Sequence, residues 1–275
     1  MINSTEVIRP FPTRKAYQAV IFDFDGTISL IREGWQQVMI PYFVEELLQT
    51  PDSENEEMLQ GIVKDFVTRL TGKQTIYQCI ELEDQVRQRG GSPRTPLEYK
   101  HEYSRRLWSR IQNRVSAVES GETAPTDWVV KGSHALLRAL RDRGLTLYLA
   151  SGTDEPNVLH EAHCLGVTEF FNGGIFGAQE EYQTFSKAMV IQRILRVHGI
   201  QGDGLLGFGD GYVEIENVKD VGGIAIGVAS DEESRTGVDD WKRTRLISAG
   251  ADVIVPDYGE LDSLLALLFG EEVNN

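Results

Sequence analysis

The sequence predicts an α/β protein: a doubly wound parallel sheet with an all-helical block inserted near its start. Three observations predict it. Ala19–Phe22, Leu145–Ala150, Leu205–Phe208 and Ile224–Val228 are short apolar runs of the kind that fill strands buried on both faces of a parallel sheet. From about Trp128 onward such runs alternate with amphipathic segments, the order that winds a parallel sheet. From Ser29 to Thr126 the spacing is helical and no convincing strand interrupts it.

The expected boundaries follow from that change of character. Residues 1–28 and 127–275 make the α/β core, and residues 29–126 make the helical insertion. Residues 1–15 carry Pro10, Pro12 and mixed charge, and read as an irregular lead-in. The first strand covers about Ala19–Phe24. In the insertion, Trp35, Val38, Met39, Tyr42, Phe43 and Leu47 recur at three- and four-residue steps, which gives one helix face. Pro51-Asp52-Ser53 reads as a helix start, with Glu54, Glu56 and Glu57 favourably placed in the first turn. Met58, Ile62, Phe66 and Val67 are its expected apolar face. Thr75–Arg89 is a third helix, ended by Gly90-Gly91. Leu97–Val118 is a fourth, with Tyr99, Tyr103, Leu107 and Ile111 on one face.

In the core, Lys131–Arg143 and Glu155–Leu165 read as helices closed by Gly144 and Gly166. Ser186–His198 reads as a helix capped by Ser186, and Leu261–Leu268 as the closing helix. Phe170–Gly177 is a loop or short strand, and Asp252–Val255 is the last strand. The charged segment Asp231–Arg245 reads as a surface loop or short helix.

Composition narrows the function. A chain of 275 residues, 41% hydrophobic, can build one large domain or two moderate ones. A formal net charge of −15 disfavours a nucleic-acid partner, but a bound divalent cation can still make a local home for phosphate. Cys79 and Cys164 give neither a disulfide framework nor metal-ligand spacing. Met1–Gln18 lacks an apolar signal core, and no apolar run is long enough to cross a bilayer. The expected setting is the cytoplasm, with no membrane partner, as a monomer or homodimer.

Three strands end in reactive polar residues, and ligands bind beyond the carboxyl ends of parallel strands. The first ends at Asp23-Phe24-Asp25-Gly26-Thr27. Two carboxylates two residues apart repel and are costly to desolvate, so they make sense beside a cation or where one of them reacts. Gly26 allows a sharp turn. The second strand ends at Ser151-Gly152-Thr153, where Ser151 and the Gly152 N–H can meet a phosphate oxygen; a turn-forming serine is the plain alternative. The third ends at Gly209-Asp210-Gly211, with Glu214 four residues on. Lys187 lies in the first turn of a helix, where the helix dipole disfavours a cation, so a purely structural role is not obvious.

In order and spacing these residues resemble the four motifs of the haloacid dehalogenase (HAD) superfamily of phosphohydrolases. The resemblance implies a Rossmann-like core with a helical cap inserted after motif one, similar to phosphoglycolate phosphatase and sugar-phosphatase-like members. It implies Asp23 as nucleophile, forming an aspartyl-phosphate, and Asp25 as general acid and base. It implies Mg²⁺ held by Asp23, the Asp25 backbone carbonyl and Asp210. Phosphate binding falls to Thr27, Ser151, Gly152 and Lys187, with backbone N–H groups between Phe24 and Thr27. Glu214 stands where the family often has Asp, so a direct, water-mediated or merely orienting role stays open. Asp25 favours a phosphatase or phosphomutase over a dehalogenase, which lacks this acid. The expected activity is Mg²⁺-dependent hydrolysis of a small phosphorylated metabolite. A sugar-phosphate mutase and a receiver-like binding module are the alternatives. In the insertion, Arg106, Arg110 and Arg114 form a stripe whose ordinary fate is pairing with acidic neighbours.

Overall fold

Strand β2 (Ala19–Phe22) has all four residues buried, which is why it carries no polar position. It is the pivot of a seven-stranded sheet in a computed structural model that describes residues 5–12 and 16–271. The strands are β1 (Glu6–Val7), β2, β3 (Thr146–Asp154), β4 (Gly174–Ala178), β5 (Leu205–Gly209), β6 (Ile224–Val228) and β7 (Val253–Val255), in the order β1-β7-β6-β5-β2-β3-β4. All neighbours are parallel except β1, which pairs antiparallel with β7.

The chain runs from β2 to β3 and β4 on one side, then returns to β5 on the other. That reversal makes the β2–β5 border the switch point of the sheet, where a crevice opens beyond the strand ends. Register brings the ends level: Phe22 stands opposite both Leu149 and Phe208. The residues after them, Asp23, the Ser151-Gly152-Thr153 tail of β3 and Gly209-Asp210, therefore emerge at one edge.

The chain divides into two units, residues 1–33 with 117–275, and residues 34–116. In the first, α5 (Ser133–Asp142), α6 (Glu155–Cys164), α7 (Lys187–His198), α8 (Tyr212–Asp220), α9 (Asp240–Ala249) and α10 (Leu261–Phe269) alternate with the strands. Helix α6 packs on β3 and β4, α7 on β2 and β3, α8 on β5 and β6, and α9 on β6 and β7. Ile21, Tyr148, Ile191, Ile215, Ala225 and Leu246 belong to one buried cluster between sheet and helices.

The second unit is helical. It holds α1 (Gln36–Leu48), α2 (Glu56–Arg69), α3 (Thr75–Gln88) and most of α4 (Pro96–Glu119). Met39, Tyr42, Phe43 and Leu47 of α1 are fully buried, and the Phe43 and Phe66 rings stack at 6.0 Å. Arg89 donates to both Glu54 carboxylate oxygens, at 2.6 and 2.8 Å, and ties the end of α3 to the start of α2. The arginine stripe is largely paired: Arg106 meets Glu102 and Glu45, each at 2.7 Å, and Arg110 donates to Gln37.

Three local readings change, and a fourth, Asp231–Arg245, resolves into both of its options. Helix α2 begins at an Asn55 cap, whose side chain accepts from the Met58 N–H. Its buried stripe is Leu59, Val63, Phe66 and Val67: Phe66 and Val67 are as expected, but Leu59 and Val63 take the places expected of Met58, which is exposed, and Ile62. The lead-in contains β1; residues 1–4 and 13–15 lie outside the described residues. The segment Asp231–Arg245 is a turn followed by the start of α9, whose Asp239 cap accepts from the Trp241 and Lys242 N–H groups. Among the described residues no helix is long and apolar enough to cross a membrane.

Candidate active site

Asp23 follows β2 directly, and its N–H still donates to the Phe208 carbonyl at 2.9 Å, so the ladder with β5 holds its backbone. Its carboxylate meets Lys187, whose Nζ donates to Oδ1 at 2.7 Å and also to Glu214 Oε1. Lys187 opens α7, and the Ser186 hydroxyl caps that helix through the Met189 N–H. The helix dipole opposes a cation here; two buried carboxylates outweigh it. Asp23, Lys187 and Glu214 are all at least nine-tenths buried. They border a cavity of about 10 Å³, room for no more than about one water. Burial pushes the Asp23 carboxyl up, Lys187 pulls it down, and repulsion from Asp210 raises it again; the net direction is upward.

Asp25 sits in a different grip. The Thr153 hydroxyl donates to its Oδ2 at 2.8 Å, and Arg32 Nε stands 3.8 Å from Oδ1. Arg32 is itself held by Glu161, with three contacts of 2.6 to 3.1 Å. Burial pushes the Asp25 carboxyl up to about 7; Arg32 works against this, and the charges of Glu161 and Asp23 add to it. The turn between the acids depends on Gly26, at φ +74, where a Cβ would collide with the Asp210 carboxylate.

Asp210 is close enough to raise the Asp23 carboxyl, and it pairs with a second lysine. Lys242 Nζ lies 2.9 Å from Asp210 Oδ2 and 2.6 Å from Glu232 Oε1. Ser230, 3.5 Å from the same ammonium, donates its hydroxyl to the Gly26 carbonyl at 2.8 Å. These contacts bind the loop after β6 and the first turn of α9 to the acidic turn.

The remaining predicted residues fall around this set. The Ser151 hydroxyl is buried and accepts from the Thr153 N–H at 3.0 Å, and Gly152 lies between them in β3. The Thr27 hydroxyl is buried without a hydrogen-bond partner, and the Thr27 carbonyl accepts from Tyr258 at 2.9 Å. One part of the expected cradle is absent: the Gly26 N–H donates to Ser29 O and the Thr27 N–H to Phe24 O, so the turn consumes both.

Thr153, Glu161, Glu232, Lys242 and Arg32 were not singled out from the sequence. Lys242 carries the same signal that marked Lys187, a cation in the first turn of a capped helix. Nothing local marks the others.

The arrangement fits a divalent cation on the chemistry of its donors. The six carboxylates of Asp23, Asp25, Glu161, Asp210, Glu214 and Glu232 share Lys187, Lys242 and Arg32, and Arg245 also attracts Asp210. Asp210 is near enough to raise the Asp23 carboxyl by repulsion, and both offer carboxylate oxygens, which suit a hard ion such as Mg²⁺.

A family model for haloacid dehalogenase-like hydrolases matches residues 17–222. The chain belongs to this family, and it is a hydrolase of the HAD type. No curated protein matches it. Solved structures share its fold at low identity. A predicted phosphoglycolate phosphatase from Haemophilus somnus is 14% identical, with a TM-score of 0.60 over 91% of this chain and 98% of its own. A predicted phosphatase from Clostridium acetobutylicum is 20% identical, with a TM-score of 0.58 over 92% and 100%. The β-phosphoglucomutase of Clostridium difficile is 13% identical, with a TM-score of 0.55 over 84% and 98%.

Proposed function

We propose that this protein is a Mg²⁺-dependent phosphatase that hydrolyses a small phosphorylated metabolite through an aspartyl-phosphate on Asp23. The observation that carries the reading is the pair of differently held carboxylates at the tip of β2: Asp23 on the Lys187 ammonium, Asp25 on the Thr153 hydroxyl. One is oriented beside a cation that can accept phosphoryl charge, and the other is free of that cation. This division suits a nucleophile and a separate acid.

In this reading an Asp23 oxygen attacks phosphorus in line, and the ester bond opposite breaks. Asp25 gives its proton to the departing oxygen, then takes one from the water that opens the aspartyl-phosphate. Lys187 neutralises charge on the phosphoryl oxygens, with Ser151, Gly152 and Thr27 as further phosphate contacts. Glu214 orients Lys187 and is not given a metal-binding role. Asp23, Asp210 and the Asp25 carbonyl would hold Mg²⁺, which supplies charge neutralisation between the carboxylates and the phosphate dianion. The helical unit is read as the cap that selects the substrate, and the free thiols of Cys79 and Cys164 accord with a cytoplasmic enzyme. Phosphate esters should be hydrolysed with Mg²⁺ and not with chelator. Phosphate release that needs no bisphosphate primer separates this reading from a phosphomutase. Binding without turnover would mark a receiver-like module.

A further inference from the structure

Away from the oxygen-only set at Asp23, the first unit gathers three donors of different chemistry, Glu119, His160 and Cys164. His160 and Cys164 are one turn apart on α6 and share a face. Glu119 is the last residue of α4. His160 Nε2 lies 2.9 Å from Glu119 Oε1, and Cys164 Sγ donates to the same oxygen at 3.5 Å. All three donor atoms fall within 4.8 Å of one another. A tetrahedral zinc site with bonds of ~2.0–2.3 Å spaces its donors by ~3.3–3.6 Å, so the triangle is already near size. Glu119 and His160 are 49% and 44% exposed, which leaves a path for an ion and an open fourth position.

We propose that Glu119, His160 and Cys164 form a binding site for a zinc-class transition-metal ion, distinct from the Mg²⁺ site of the proposed function. A nitrogen, a sulfur and a carboxylate oxygen select borderline metals over magnesium. Binding joins the metal to the Cys164 sulfur, the His160 Nε2 lone pair and a Glu119 oxygen, and releases the thiol proton to solvent. Thiolate and carboxylate then balance the two positive charges. The ion would clamp the end of α4 to α6, the helix whose Glu161 holds Arg32 beside Asp25.

The test is titration of the untagged full chain with Co²⁺ under saturating Mg²⁺, followed by absorption spectroscopy. One equivalent should raise a thiolate-to-cobalt charge-transfer band, with visible bands of tetrahedral intensity, and Zn²⁺ should erase them. The charge-transfer band should vanish in Cys164→Ser, weaken in His160→Gln and survive in Cys79→Ser. All three side chains lie outside the catalytic set, so phosphate release by Cys164→Ser at saturating Mg²⁺ should match the unmodified protein and report its folding. Failure of the unmodified chain to develop the band in excess Co²⁺ overturns the proposal, as does an equal band in folded Cys164→Ser. Either result leaves the reading of Asp23 untouched.

Discussion

At the scale of single residues, the site depends on how its buried charges are partnered. Asp25 ionises near 3.8 when unfolded and near 7 in the folded site. Between those values the folded chain binds the extra proton, so this group's stabilisation is full below 3.8 and falls as pH rises to about 7. Asp25→Asn removes that loss. In chelator, its melting temperature should gain on the wild type at about pH 8 relative to about pH 4, the reverse of a lost stabilising ion pair. The same variant should release phosphate ~10²–10⁴-fold more slowly, since it has no proton to give. Lys242 tests the opposite case. Lys242→Met strands the Asp210 and Glu232 carboxylates and should cost about 3–5 kcal/mol in urea unfolding without divalent cations. The two acids, Ser151, Lys187 and Asp210 were legible because each follows a strand or opens a helix. Glu161 and Glu232 were not, because their partners lie 129 and 10 residues away and leave no periodic trace.

Among the elements, α7 carries the sharpest expectation. Ser186 caps it and Lys187 is its first residue, so the cap both stabilises the helix and aims the ammonium. Ser186→Ala should cost ~1 kcal/mol, measured by denaturation. It should also lower kcat more than Lys-neutral cap losses elsewhere, such as Asn55→Ala at the start of α2. Elements with long periods were legible: the core strands and most helix faces need only hydrophobic spacing. The short edge strand β1 was hidden, because two residues cannot show an alternation. The first half of the α2 stripe was misaligned by one residue because Met58-Leu59 and Ile62-Val63 are adjacent apolar pairs and only packing chooses within each. The start of α9 was obscured by its charge, which the structure spends on Lys242 and on the Arg243–Glu6 ion pair rather than on solvent alone.

For the whole molecule, the strand order explains why residues far apart in the chain meet at one edge. The reversal at β2 lays the ends of β3 and β5 on either side of the acidic turn, and α7 adds its lysine from a fourth segment. The surplus of carboxylates there predicts that chelator abolishes phosphate release and that Mg²⁺ restores it, while the far-ultraviolet spectrum of the fold stays unchanged. The most direct test is acid quenching during turnover of a phosphate ester with Mg²⁺, then mass spectrometry of the peptide that contains Asp23. A base-labile phosphoryl group is expected on that aspartate, absent from Asp23→Asn, which should release no phosphate above buffer. Full turnover by folded Asp23→Asn, with no phosphorylated peptide in the wild type, would contradict an aspartyl-phosphate there.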